Sequence, residues 1–162
     1  MQTPTTVDHF PPETRLWIYQ SSQPLPEEAV PEVENKLRSF AQQWVSHNQQ
    51  LRASAQVLHN RFLLLMVDES QADASGCSID KSVYFLKQLQ AEYGLDLFNR
   101  MVFSYQKDGQ VHTVPRDEFA QLYESGAIND DTPVFDTLVD TKAAFEQGWV
   151  KPLAQSWHKR LV

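Results

Sequence analysis

The sequence predicts an α+β domain: a ferredoxin-like βαββαβ core, an extra hairpin strand, and a mainly helical or irregular C-terminal third that covers the sheet. Three observations carry this. Residues 62–67 (FLLLMV) are six consecutive apolar residues, the pattern of a strand covered on both faces. Residues 16–19 (LWIY) form a second continuous apolar run. Apolar residues at helical spacing lie between and after these runs, so the elements follow in the order β-α-β-β-α-β. In that topology the first and third strands are central, which suits the two most continuously apolar segments.

The start, MQTPTTVDHFPPET, is polar and proline-rich, and residues 1–14 are expected to be loose. After the first strand, SSQPLPEE is loop. Glu27, Glu28, Pro31 and Glu32 suit a helix's first turn, where proline lacks nothing and acids meet the dipole. Val30, Val33, Leu37, Phe40, Ala41, Trp44 and Val45 mark that helix's core face. Residues 52–58 are partly alternating and fit an edge strand, joined to the central strand by a tight turn at His59-Asn60. Asp68 and Glu69 stop the apolar run, and Ser70, Asp73, Ser75 and Gly76 supply loop chemistry. Ser75 or Ser78 can cap a second helix carrying Ile79, Val83, Leu86, Leu89 and Tyr93, which Gly94 ends.

Residues 101–106 and 111–114 are two strands joined at Asp108-Gly109, a strong hairpin signal. Arg116-Asp117-Glu118 starts a short helix that Ser125-Gly126 ends. Asp140-Thr141 caps a last helix through Phe145, and Pro152 interrupts before the tail SWHKRLV. Two helices cover one sheet face, so the other must be covered by the C-terminal third, through Phe135, Leu138, Phe145, Trp149 and Trp157. One domain spans 1–162, with a core over 15–114 and an extension over 115–162.

Composition narrows the function classes. The chain has 162 residues, 41% hydrophobic and 11% aromatic, which is enough to bury a sizeable core. A net charge of −7 and a pI near 5.1 argue against nucleic-acid partners and against docking to anionic membranes. One cysteine allows no internal disulfide and no cysteine zinc cluster. With no apolar leader and no 18-residue apolar run, a reducing, cytoplasmic setting is expected. The phosphate loop GxxxxGK[ST] is absent, as are GxGxxG, HExxH and GxSxG, so a P-loop ATPase is set aside. His9, His47, His59, His112 and His158 show no i, i+4 pair, and neither a metal nor another cofactor is expected.

One stretch draws attention as a site. Cys77 is placed beyond the carboxyl end of the central strand, close to a helix N-terminus, where exposed N–H groups favour an anion or a thiolate. The candidate ligand-binding residues are Asp68, Ser75, Gly76, Cys77, Ser78 and Asp80. The expected function is a non-enzymatic ligand-, anion- or protein-binding or regulatory domain with a pocket at loop 68–82, taking a small anion or a protein partner. A second reading makes Cys77 a catalytic nucleophile or redox thiol, which would need a base from His59, His112 or His158. A third makes the C-terminal third a peptide-interaction module. A solvated acidic strand end and a small buried cysteine account for the same residues without any site.

Taken together, WIYQSSQPL, LLLMVDE, ASGCSIDKSV, DLFNRM, DTPVFDTLV and SWHKRL resemble a family of small uncharacterised bacterial proteins, some of them labelled ABC-transporter ATPase. SGCSID is the most specific of these segments. The resemblance implies no catalytic residues. Separately, YQKDGQVHTVPRDEFAQLYESGAINDDTPVFD is similar to the hairpin–helix layout of bacterial GYF-like modules, which implies binding of proline-rich or extended peptides. Phe135 stands where those modules usually carry Trp, and Thr113-Val114-Pro115-Arg116 replaces their Gly-Pro.

Overall fold

The computed structural model describes residues 10–162. Its first sheet has β1 (Arg15–Gln20), β4 (Arg52–Leu58) and β5 (Phe62–Asp68) in the order β1-β5-β4, all antiparallel. All seven residues of β5 are buried. The strand's period of two explains how. Leu63, Leu65 and Val67 face α1 (Val30–Gln43) and α2 (Gly76–Tyr93), joining Val33, Leu37, Ala41, Leu86 and Leu89 in one core. Phe62, Leu64 and Met66 face the other way, onto Phe135, Phe145 and Trp149. The unbroken apolar run thus belongs to a strand with a core on each side, as its composition predicts.

Local signals act where the sequence places them. Both His59 and Asn60 take left-handed conformations, with φ of 53° and 52°, in the turn from β4 to β5. Asp108 and Gly109, with φ of 55° and 75°, form the two-residue turn between β6 (Val102–Lys107) and β7 (Gln110–Pro115). Gly94 and Gly126 end α2 and α3 (Arg116–Ser125) in the left-handed conformation. The Thr141 hydroxyl caps α4 (Lys142–Gly148) by accepting from the Ala144 N–H. A small hairpin, β2 (Val45–Ser46) with β3 (Gln49–Gln50), follows α1.

The expected fourth strand does not join the first sheet. β6 pairs instead with β7 and with β8 (Pro133–Phe135), and β9 (Val150–Pro152) completes a second sheet in the order β7-β6-β8-β9. That sheet has its own core, with Phe103, Tyr105 and Val134 packed on Phe119 of α3 and on Leu153. The hairpin of residues 102–115 therefore belongs with the C-terminal third. β5 is central, and β1 is an edge strand in which only Leu16 is fully buried. The ferredoxin-like order is kept for three strands and broken at the fourth, because alternation specifies which face of a strand is apolar and not which strand lies beside it.

The cover of the second face is as expected for Phe135, Phe145 and Trp149. Leu138 is 69% exposed, and Trp157 packs in the second sheet's own core. Of the stretch expected to be loose, residues 1–9 lie outside the described residues. Residues 10–14 are tied to α4: Lys142 Nζ donates to the Phe10 carbonyl, and the Lys142 and Ala143 N–H groups bond Thr14 and Pro12. No described helix is long and apolar enough to cross a membrane.

Candidate functional site

In the loop after β5, Ser75 and Ser78 bond each other, while Asp68 is held by Arg52 and Ser70. Asp68 is buried and accepts from Arg52 Nη1 at 2.7 Å and from the Ser70 N–H at 3.0 Å. Burial pushes its carboxyl up, but the Ser70 bonds and the Arg52 guanidinium outweigh this and hold it below the usual range. Ser75 is the N-cap of α2, its hydroxyl accepting from the Ser78 N–H at 3.2 Å. The buried Ser78 hydroxyl donates to the Ser75 carbonyl. Gly76 and Asp80 are exposed. Glu69 and Asp73 line the loop's opening beside His47, which sets carboxylates where an anion would enter.

Cys77 is exposed, and its thiol makes no hydrogen bond to any described residue. The histidines named as its possible base lie elsewhere. His59 packs against Phe62, Phe135 and Trp149. His112 stacks on Tyr105, and His158 stacks on Trp157 at 3.8 Å. His9 lies outside the described residues. The loop reads first as a helix cap. Ser75→Ala is expected to cost about 1 kcal/mol of stability, typical of a lost N-cap, and denaturant unfolding measures it.

A cleft of about 330 Å³ lies elsewhere, between the two sheets. One wall is β1. Its Leu16 N–H bonds the Asp140 carbonyl at 3.0 Å, on the side away from β5. By alternation, Leu16, Ile18 and Gln20 all turn their backbone groups to that side. Beyond Leu16 N–H the edge is open: the Ile18 N–H and carbonyl and the Gln20 N–H have no hydrogen-bond partner among the described residues. The opposite wall is Val102 and Phe103 of β6 with Trp157 and His158. Gln20 bridges the gap with its side chain, donating to the Val102 carbonyl at 2.8 Å and accepting from Ser104 Oγ at 2.7 Å. At this end of the cleft the Gln20 side chain thus ties β1 to the second sheet.

The ends of the cleft differ in charge. Arg100, exposed and in no ion pair with a described residue, stands at the Tyr19–Gln20 end. Asp140 stands at the Leu16 end. Within the wall, His158 is 1% exposed and its Nδ1 lies 2.6 Å from Ser156 Oγ. Burial pushes its pKa down to about 4 against the pull of Asp136, so the ring is neutral near pH 7. Asp136 itself accepts from Lys151 Nζ, Trp157 Nε1 and the Leu138 N–H, which hold its carboxyl below the usual range against the opposing effect of burial. This hub pins the tail to the 136–138 turn and shapes the cleft's far side.

Sequence reasoning missed this site. Its signal was present in weak form: LWIYQ carries Trp, Tyr and Gln, residues that suit a half-covered edge better than a sheet centre. No family model, no curated protein and no solved structure matches the chain.

Proposed function

We propose that the chain is a non-enzymatic binding domain and that its ligand occupies the cleft between the two sheets. The observation that carries this is the open edge of β1: backbone donors and acceptors with no partner among the described residues, facing a cleft whose apolar lining includes Leu97, Phe98, Phe103 and Phe135. Backbone polar groups set among apolar walls favour a ligand that can bond them. In a ferredoxin-like plan a fourth strand of the chain would use that edge, and here β6 is paired elsewhere. The 68–82 loop supports a ligand less well, since Asp68 is already held by Arg52 and Ser70, and Ser75 and Ser78 already bond each other.

The probe is 8-anilinonaphthalene-1-sulfonate, whose rings suit the apolar walls and whose sulfonate suits Arg100. Titration is expected to move the amide NMR signals of residues 16–20, 97–103, 135–140 and 157–158 with a single saturable isotherm. Shifts confined to residues 68–82, or no saturable shift, would overturn the reading.

A further inference from the structure

We infer that the cleft takes one extended peptide segment, which adds to β1 as the missing fourth strand and sets a carboxylate beside Arg100. The inference rests on the reading of the cleft as the ligand site and names the class of ligand.

The open groups themselves specify an extended backbone. The Ile18 and Gln20 N–H groups, with the Ile18 carbonyl between them, recur along β1 at roughly 6.8 Å, the repeat of two residues in a strand. A ligand matching that order of donors and acceptors is another strand, the mode in which peptides add to sheet edges. The slot also has defined ends. At the Leu16 end the chain already supplies a short antiparallel partner, since the Leu16 N–H bonds Asp140 and the Lys142 N–H bonds Thr14. The chain departs from that line before Asp140, where Asp136 holds the Leu138 N–H. At the other end Gln20 reaches across to β6.

The walls suit the alternating side chains of a strand. Leu16 and Ile18 turn toward the core that holds Phe135, and Tyr19 turns the other way, onto Phe98 at 5.6 Å between rings. A peptide lying beside them would have an apolar wall for each of its two side-chain sets. The charges give polarity. Arg100 stands unpaired among the described residues at the Gln20 end, and Asp140 stands at the opposite end, so the ligand's carboxylate belongs beside Arg100. A second copy of the chain fits poorly, because the second sheet flanks the slot on one side and residues 97–100 on the other.

The test pans a phage-displayed random decapeptide library against the whole chain, and the enriched peptide is synthesised. The expected result is an acidic peptide whose binding moves the Ile18 and Gln20 amide signals downfield and slows their hydrogen exchange. N-methylation of the peptide amide that donates to the Ile18 carbonyl is expected to weaken binding about fivefold, since the lost hydrogen bond is worth about 1 kcal/mol. Arg100→Glu, a change at an exposed position, is expected to weaken it similarly and to select basic peptides instead. No enrichment over a mock panning, binding unchanged by that N-methylation, or Ile18 and Gln20 signals that stay in place would each overturn the inference. If the dye still saturates the cleft in that event, the binding-domain reading stands and only the peptide falls. If the dye also fails, both fall.

Discussion

Phe135→Ala is expected to lower the stability of the whole chain by about 3–5 kcal/mol, the range for truncating a buried aromatic. Phe135 is 1% exposed, on β8 of the second sheet. Its ring lies 5.0 Å from Phe62 of β5 and 5.0 Å from Trp149. Phe62 and Trp149 are themselves 5.1 Å apart, edge to face. Three large rings from β5, β8 and the end of α4 thus form the joint between the sheets. Truncating the middle one leaves a cavity that the rigid strands on either side cannot close. The expected fall in Tm is roughly 6–20 °C, taking about 2–4 °C per kcal/mol for a chain of this size. Calorimetry should show one transition that moves as a whole. A second sheet that melts separately while the first keeps its wild-type Tm would show that the joint does not couple them.

Stability should also fall as the pH drops from about 6.5 to about 4, because His158 must be charged inside an aromatic core. The sign follows from linkage. The folded pKa, about 4, lies below the unfolded value of about 6.5, so the unfolded chain binds the proton more tightly. The stabilisation by neutral His158 is complete above pH 6.5 and declines as the pH falls, until it is gone at about 4. At about 1.4 kcal/mol per tenfold, that interval amounts to roughly 3 kcal/mol. His158 packs on Trp157, Phe103 and Phe119, which offer the charged ring no acceptor in their planes. His59, also pushed down by burial, adds in the same direction. Asp68 and Asp136 act at lower pH, since their carboxyls are held below the usual range and lose their bonds only when protonated. His158→Phe keeps a ring in the core and removes the titration. Denaturant unfolding at pH 7 and pH 5 should show a large difference for the wild type and a much smaller one for the variant. An equal pH dependence in both would place the acid sensitivity elsewhere.

The candidate site was less legible than the elements around it. Ser75, Gly76 and Cys77 drew attention because serine, glycine and cysteine at a helix start are the residues of anion and thiol sites. The same residue types also make an N-cap, and in this loop the hydroxyls and the Asp68 carboxylate bond their own neighbours. The cleft escaped notice because its defining groups are backbone N–H and C=O, which every residue carries. Whether they are open depends on which strand lies alongside. Arg100 and His158 gave no local signal either, since they reach the cleft from positions about 80 and 140 residues after β1 in the 162-residue chain.

By itself the sequence determined the elements and their faces. The run at residues 62–67 required a strand with a core on both sides, and the His59-Asn60, Asp108-Gly109, Gly94 and Gly126 signals set turns and helix ends within a residue or two. These are short-range effects, governed by backbone sterics, capping and the side-chain period, and they act wherever the segment finds itself. Only the tertiary structure decided that β6 pairs with β7 and β8 instead of β1, that a second sheet forms, and that β1 keeps an open edge beside a cleft. Strand pairing uses identical backbone groups on every candidate partner. The choice among partners falls to the packing of distant side chains, here Phe103 and Tyr105 around Phe119 in one core and Phe135 and Trp149 against Phe62 in the other.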